Sequence, residues 1–430
     1  MRILGPCLIE MKSFSAIDER SKTAAKISTV VLLGAFGPPI MTAARSLHDA
    51  GLEVVVLSTE PGTPSAWSSA VSFAECMRPE DLGTSAGLAA IKDFIRRTNA
   101  QALLPFWDPQ MLWLAANKSS LPEGCKLLSS SQQALQMVMS KDNQLRIAQH
   151  CGFNLLPTWK LSLQEDVDLV DPGAYPVCLR PSAPDQVKPT FKVEVMQSPA
   201  ELRAFLALRT WGPGPLLVQP FLPLPTAVIH GVRSESGEMI ALEAFLASTK
   251  FEGVTLELQP LRMDAKLELC CRKFADETGI TGPFHFELLY SAETGVFYYL
   301  EINVRLGGTT DKVFRLGFDE PLLALAAYGF DVRVRPYRAR EGRSVVNRRA
   351  VVKHVCSVLK GRLSPLDYPV AGRARHVLLS LRSLVWASDS IASLRDLPGT
   401  WFFYVDRGRP QELSRRPEPN WVMRFLHHHH

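Results

Sequence analysis

No CxxC pair occurs among the eight cysteines of this 430-residue chain, so neither a zinc site nor a disulfide framework is indicated. The thiols read as reduced packing residues. No apolar run approaches the roughly 20 residues that a membrane helix needs. No basic region followed by an apolar stretch and a small-residue cleavage site opens the chain. The expectation is a cytoplasmic protein without a membrane partner. GxSxG, HExxH and Walker A elements are missing, which argues against hydrolase, zinc-protease and P-loop classes. Neither sign of charge dominates: 48 basic and 43 acidic residues leave a net +5, which suits an anionic substrate or cofactor without requiring nucleic acid. Internal repeats are lacking too, and His427 to His430 read as the remnant of an expression tag.

What is present is a globular composition, 46% hydrophobic and 21% charged, on a chain long enough for two or three domains. Residues 1–26 read as an extension. From residue 27 an apolar run ending in Gly34, a helical stretch and a second apolar run at 53–57 form a strand–helix–strand unit of parallel type. The pattern continues with a helix at 86–98 and a strand at 102–105, giving an α/β domain over 27–130. Gly34-Ala-Phe-Gly37 is not a dinucleotide fingerprint and reads as a tight turn. Phe106-Trp107-Asp108 stands at the carboxyl end of a strand, the edge where open α/β sheets bind ligands.

One helix is expected over 131–151, containing Lys141-Asp142. Strands follow at 175–181, 191–196, 216–221, 227–233 and 239–244, with helices at 200–208 and 264–278. A further helix follows Pro321. Seven arginines between 332 and 349 face only Glu341; their alternation describes a strand with one wet face, and a nucleic-acid site is the less favoured reading. Runs at 351–358 and 401–405 look strand-like.

The stretch 284–310 carries the chemistry. Two aromatic and β-branched runs flank Ser-Ala-Glu-Thr-Gly and predict a hairpin. Antiparallel pairing centred on Thr294 puts Glu287 opposite Glu301 and His285 opposite Asn303, with Cβ atoms roughly 5 Å apart. Opposed carboxylates repel unless a cation lies between them or one takes a proton. Two Glu and an Asn amide are hard oxygen ligands suited to Mg²⁺ or Mn²⁺. Arg305 stands one strand step further as an oxyanion clamp, and Gly307-Gly308-Thr309-Thr310 offers backbone that a ligand can approach.

Lys141-Asp142 in a helix, a Pro-Val-x-Leu-Arg-Pro strand, Val-Gln-x-Phe, then Phe-Glu-Leu-Leu with Leu-Glu-Ile-Asn-Val-Arg-Leu-Gly-Gly resembles, in this order, the ATP-grasp superfamily. The layout is most similar to its carboxylate-amine ligases. The resemblance covers about 131–318 and implies a core over 131–335 with a small lid at 152–218, following the parallel-sheet domain. A C-terminal α+β segment would occupy 336–426. It also implies that Glu287, Glu301 and Asn303 bind the Mg²⁺ that bridges ATP phosphates. Arg305 would orient the γ-phosphate and an acyl-phosphate, and Lys141 would reach the nucleotide phosphates. Gln219, Pro220, Phe221 and Leu222 would form the hinge for adenine. Arg180 stands where lysine is usual, and the lid loop lacks its glycines, so Lys188 or Lys192 would serve as clamps. The expected activity joins a small carboxylate to an amine with release of ADP and phosphate, a homodimer being compatible. A non-catalytic nucleotide-binding regulator is the alternative.

Overall fold

The structure is a computed structural model and describes residues 25–34, 37–60, 68–183, 187–212 and 215–405. Most of the N-terminal extension, the centre of the lid loop and the tag residues lie outside the described residues. The first unit comprises β1 (Thr29–Leu33), α1 (Gly37–Asp49), β2 (Glu53–Ser58), β3 (Phe73–Cys76), α2 (Ser85–Thr98), β4 (Ala102–Pro105), α3 (Asp108–Ala116) and β5 (Lys126–Leu127). Its strands all pair in parallel, as the strand–helix alternation predicted, and β3 and β5, which the alternation did not foresee, complete the order β3-β2-β1-β4-β5. β1 is Thr-Val-Val-Leu-Leu with every residue buried, the mark of a parallel strand covered on both faces.

The single helix expected over 131–151 is two helices, α4 (Gln132–Met139) and α5 (Lys141–His150). Ser140 between them is extended, at φ −92° and ψ 122°. Side chains bridge the break: Asn143 Nδ2 donates to the Met137 carbonyl and Gln144 Nε2 to that of Val138.

An antiparallel sheet in the order β6-β11-β7-β9 comes next, from β6 (Trp159–Leu161), β7 (Val177–Pro181), β8 (Val187–Lys188), β9 (Glu194–Met196), α6 (Pro199–Ala207), β10 (Thr210–Trp211) and β11 (Leu216–Pro220). β8 and β10 pair separately. The strand expected over 191–196 shrinks to its last three residues.

The largest sheet runs β16-β15-β12-β13-β14-β17-β18. It is built from β12 (Thr226–Arg233), β13 (Met239–Phe251), β14 (Val254–Leu261), α7 (Ala265–Thr278), β15 (Gly282–Tyr290), β16 (Phe297–Asn303), α8 (Thr310–Leu316), α9 (Glu320–Ala327), β17 (Val345–Val346), α10 (Arg348–Leu359), α11 (Arg373–Trp386), β18 (Ser388–Asp389) and α12 (Leu397–Val405). The runs read as strands at 351–358 and 401–405 are therefore helices. Val351, His354 and Val358 recur at helical spacing and form the buried face of α10. The arginine-rich segment after Val332 is not a strand either. Its alternation is nevertheless real in burial, since Val332, Val334 and Tyr337 pack against the core while Arg333 and Arg335 face water.

One core fastens the first sheet to the last. Val30, Leu32, Ile40 and Val56 share a cluster with Val228, Phe245, Leu258, Phe318 and Leu322. Across this junction Ser46 donates to Asp319, 2.5 Å away.

Candidate active site

The expected hairpin forms as β15 and β16 in the expected register, with Glu287 opposite Glu301 and His285 opposite Asn303. A one-residue bulge follows Glu287, so that Leu288 pairs with Tyr299. Ile302 and Val304 enter the apolar core, and Glu287, Glu301, Asn303 and Arg305 line a cavity of about 570 Å³ on the other face. Because β16 is a sheet edge, its backbone needs partners, and the buried Gln144 of α5 supplies them. Its Oε1 accepts from Ile302 N–H (3.0 Å) and Tyr299 OH (3.1 Å), while Nε2 donates to the Ile302 carbonyl (3.1 Å). The helix break places Lys141 at the first turn of α5, where its amide donates to the Ser182 carbonyl and its Nζ lies 3.4 Å from Glu301 Oε2.

Electrostatics divides the two carboxylates. Burial and then Glu301 push the Glu287 carboxyl up. Burial also raises Glu301, but Lys141 and Arg180 outweigh it and leave that carboxyl below its ordinary value. Arg180, on β7, lies 3.8 Å from Glu301 and donates to Gln219 Oε1 (3.1 Å) and the Leu300 carbonyl (2.9 Å). Asn303 Nδ2 donates to Glu301 Oε1 at 3.3 Å. Glu287 accepts no hydrogen bond among the described residues; His285 Nε2 lies 3.8 Å from it, and Lys192, Arg305 and Lys250 act on it only from a distance. A raised, unpartnered carboxylate beside a second one is a donor set that accommodates a hard divalent cation, with phosphate oxygens and water filling the remaining positions. No cluster of three His, Cys, Asp or Glu occurs among the described residues, so no all-protein cage is offered.

The cavity gathers every residue predicted for the site except Lys188, which stands exposed on β8 and is not part of the lining. Lys192 reaches the wall from the lid side. Gln219, Pro220, Phe221 and Leu222 also line the cavity; Phe221 N–H is taken by the Pro176 carbonyl, while Leu222 N–H has no partner among the described residues. Arg305 is paired: its Nε lies 3.0 Å from both oxygens of Asp108, the residue at the carboxyl end of β4.

Three further contributors escaped the sequence reading. Lys250 enters the wall because β13 runs seven residues beyond its expected end, to Phe251. Its Nζ donates to the Leu224 carbonyl (3.2 Å) and Thr226 Oγ1 (3.1 Å), and burial lowers its pKa against the opposing pull of Glu287. The signal was present: Glu252 and Gly253, both at positive φ (49° and 76°), make a two-residue hairpin turn before the alternating Val-Thr-Leu-Glu-Leu of β14. Asp367 and Tyr368, on the loop between α10 and α11, close the same wall. Behind Gly307 lies a buried network in which His230 meets Glu320 Oε1 and Thr309 Oγ1, both at 2.9 Å, and stacks on His285 at 5.2 Å.

No protein-family model matches the sequence, and comparison with curated proteins finds no match. Solved structures do match. An ADP complex of an N5-carboxyaminoimidazole ribonucleotide synthetase aligns with TM-score 0.60 at 14% identity, over 84% of this chain and 98% of that one. The biotin carboxylase domain of the 2-oxoglutarate carboxylase of Hydrogenobacter thermophilus, complexed with MgADP, ADP and bicarbonate, aligns at 0.57 and 16% identity over 74% of each chain. Biotin carboxylase of Campylobacter jejuni with β,γ-ATP aligns at 0.55 and 17% identity over 72% of each. The chain therefore has the ATP-grasp fold, preceded by a parallel-sheet α/β unit.

Proposed function

We propose that the protein is an ATP- and Mg²⁺-dependent ligase that joins a small carboxylate, such as an amino acid, to an amine and releases ADP and phosphate. The observation that carries this reading is the in-register pair Glu287–Glu301 on one wall of the cavity, with Lys141, Arg180 and Arg305 around it. Glu287, Glu301 and Asn303 would hold Mg²⁺, which when bound supplies charge neutralisation at the phosphates. Phosphoryl transfer to a carboxylate demands positioning and charge compensation more than a protein nucleophile. The cationic side chains provide both. Lys141 and Arg180 neutralise Glu301 and can turn to phosphate oxygens, and the free Leu222 N–H on the hinge wall is a donor for adenine. Arg305, once released from Asp108, binds the substrate carboxylate and its acyl-phosphate. The fold supports the reading, since the aligned structures are of ligases and carboxylases bound to adenine nucleotides.

A nucleotide-binding regulator is the second reading, favoured by the closed Arg305–Asp108 pair and by Lys188 standing away from the cavity. The same experiment separates the two. ADP release is measured with ATP, Mg²⁺ and a matrix of small carboxylates and amines, with Glu301→Gln as control. A pair that raises ADP release is expected, and the variant should lose it by at least about 100-fold with unchanged circular dichroism. Nucleotide binding without turnover for any pair would leave the regulator, and an active Glu301→Gln enzyme would remove the metal assignment.

A further inference from the structure

The second of the two C-terminal helices, α11, has its polarity reversed. α11 turns His376, Ser380 and Ser383 inward, at positions i, i+4 and i+7, and Ala387 just past its end continues the line, while its outer face carries Leu378 (67% exposed), Leu381, Val385 (70%) and Trp386 (82%). At 100° per residue Leu378, Leu381 and Val385 fall directly opposite the buried line. Arg375, Arg382 and Trp386 fall together along one flank of that ridge. α10 buries Val351, His354 and Val358 but also carries an exposed line, Val352, Cys356 and Leu359 at i, i+4 and i+7, flanked by Lys353 and Lys360. Water does not favour such faces: an apolar ridge on a two-helix unit, exposed along its length, marks an interaction surface.

Charge identifies the occupant. From Arg348 to Trp386 there are eight lysines and arginines against a single acidic residue, Asp367, which is buried. Lys353, Lys360, Arg362, Arg375 and Arg382 have no acidic partner among the described residues. A second copy of this face would bring like charges together, and an apolar protein partner would leave these cations uncompensated. We infer that α10 and α11 lie flat on an anionic lipid bilayer, with Leu378, Leu381, Val385, Trp386, Val352 and Leu359 entering the headgroup boundary and the flanking Lys and Arg reaching lipid phosphates. This is the composition of an interfacial helix: apolar residues with Trp on one side, Lys and Arg at the margin. No helix among the described residues is long and apolar enough to cross a membrane. The absence of a spanning run bears on crossing, not on lying along the surface. The loop joining the two helices carries Asp367 and Tyr368 of the cavity wall, so the surface contact sits one loop away from the candidate active site.

The test is co-sedimentation of the full chain with phosphatidylcholine vesicles and with vesicles containing phosphatidylglycerol. Binding is expected to the anionic vesicles alone at low salt, and to fall at least tenfold at about 0.5 M salt, where the Debye length is a few ångströms. Two variants separate the contributions. Leu378→Ser/Val385→Ser/Trp386→Ser should weaken vesicle binding at least tenfold, as should Arg375→Glu/Arg382→Glu, each with unchanged circular dichroism. Failure to bind anionic vesicles at low salt overturns the inference. So does a wild-type dimer that the triple serine variant converts to monomer without any vesicle binding, which would assign the ridge to a second copy. Binding to RNA or DNA that the charge-reversal variant loses, with no vesicle binding, would equally overturn it.

Discussion

Gly307→Ala tests whether the glycine-rich turn after β16 is fixed by the buried histidine behind it. A Cβ at residue 307 would stand 2.2 Å from His285 Cε1, with both ring nitrogens inside 3.0 Å. Ordinary carbon contacts begin near 3.5 Å, so the ring or the turn must yield by about 1.3 Å. The ring is badly placed to yield: His285 is buried and stacked on His230, and His230 is held at both nitrogens by Glu320 and Thr309. Overpacking of this kind costs about 1–3 kcal/mol, and the rigidity of the network argues for the upper half. A melting-temperature drop of roughly 4–12 °C is expected, taking about 2–4 °C per kcal/mol for sizeable domains. If the turn yields instead, Arg305 and Thr309 move with it, and a shift of about 1 Å in a positioning group can cost on the order of 100-fold in turnover. The adjacent Gly308→Ala is the internal control, because its Cβ meets nothing within 4 Å and its φ is not in the positive range. Calorimetry on both variants decides the matter: equal melting temperatures for Gly307→Ala and Gly308→Ala would refute the packing argument.

Two further perturbations follow from buried hydrogen bonds. Gln144→Leu strips partners from the Ile302 amide and carbonyl, the Val138 carbonyl and the Tyr299 hydroxyl at once, and a cost of about 3 kcal/mol is expected as a lower urea midpoint at unchanged m-value; a loss under about 1 kcal/mol would contradict the role given to α5. Asp396 accepts from Arg45 Nε (2.7 Å), Ser68 Oγ (2.6 Å) and the Ser69 amide (2.8 Å), tying the C-terminal segment to α1. Burial pushes its carboxyl up, but Arg45 and the two serines outweigh that and hold it below the ordinary value. A depressed folded pKa means that the stabilisation is complete above the unfolded value of about 3.9 and is lost as pH falls through the folded value. Asp396→Asn should therefore cost about 3 kcal/mol near neutrality, with the deficit shrinking as pH drops below about 4. Thermal melts of both proteins across pH check this, and a deficit independent of pH would count against it.

The hairpin was legible because its determinants are local. Two runs of aromatic and β-branched residues and a five-residue connection set the pairing of Glu287 with Glu301 and of His285 with Asn303 without help from the rest of the chain. The parallel pairing of the first sheet, though not its strand order, was likewise implied by strand and helix alternation. Local signals misled where composition and period disagreed. The valines at 351–358 suggested a strand, yet the spacing of Val351, His354 and Val358 was helical, and packing against the sheet selected the helix. The alternation after Val332 foretold burial correctly but not the absence of a strand partner.

By itself, then, the sequence determined which side chains carry charge into one face of one hairpin, because strand periodicity is a property of neighbouring residues. Tertiary structure alone decided what that face meets. Asp108 reaches Arg305 from the first turn of α3, beyond the first sheet, and Gln144 completes an edge strand from across a helix break. Lys250 enters the wall only because its strand continues to Phe251, and the 365–368 loop arrives from beyond the core. These contacts join residues up to some two hundred positions apart. No local pattern encodes them, since they follow from the packing of whole sheets on a shared core.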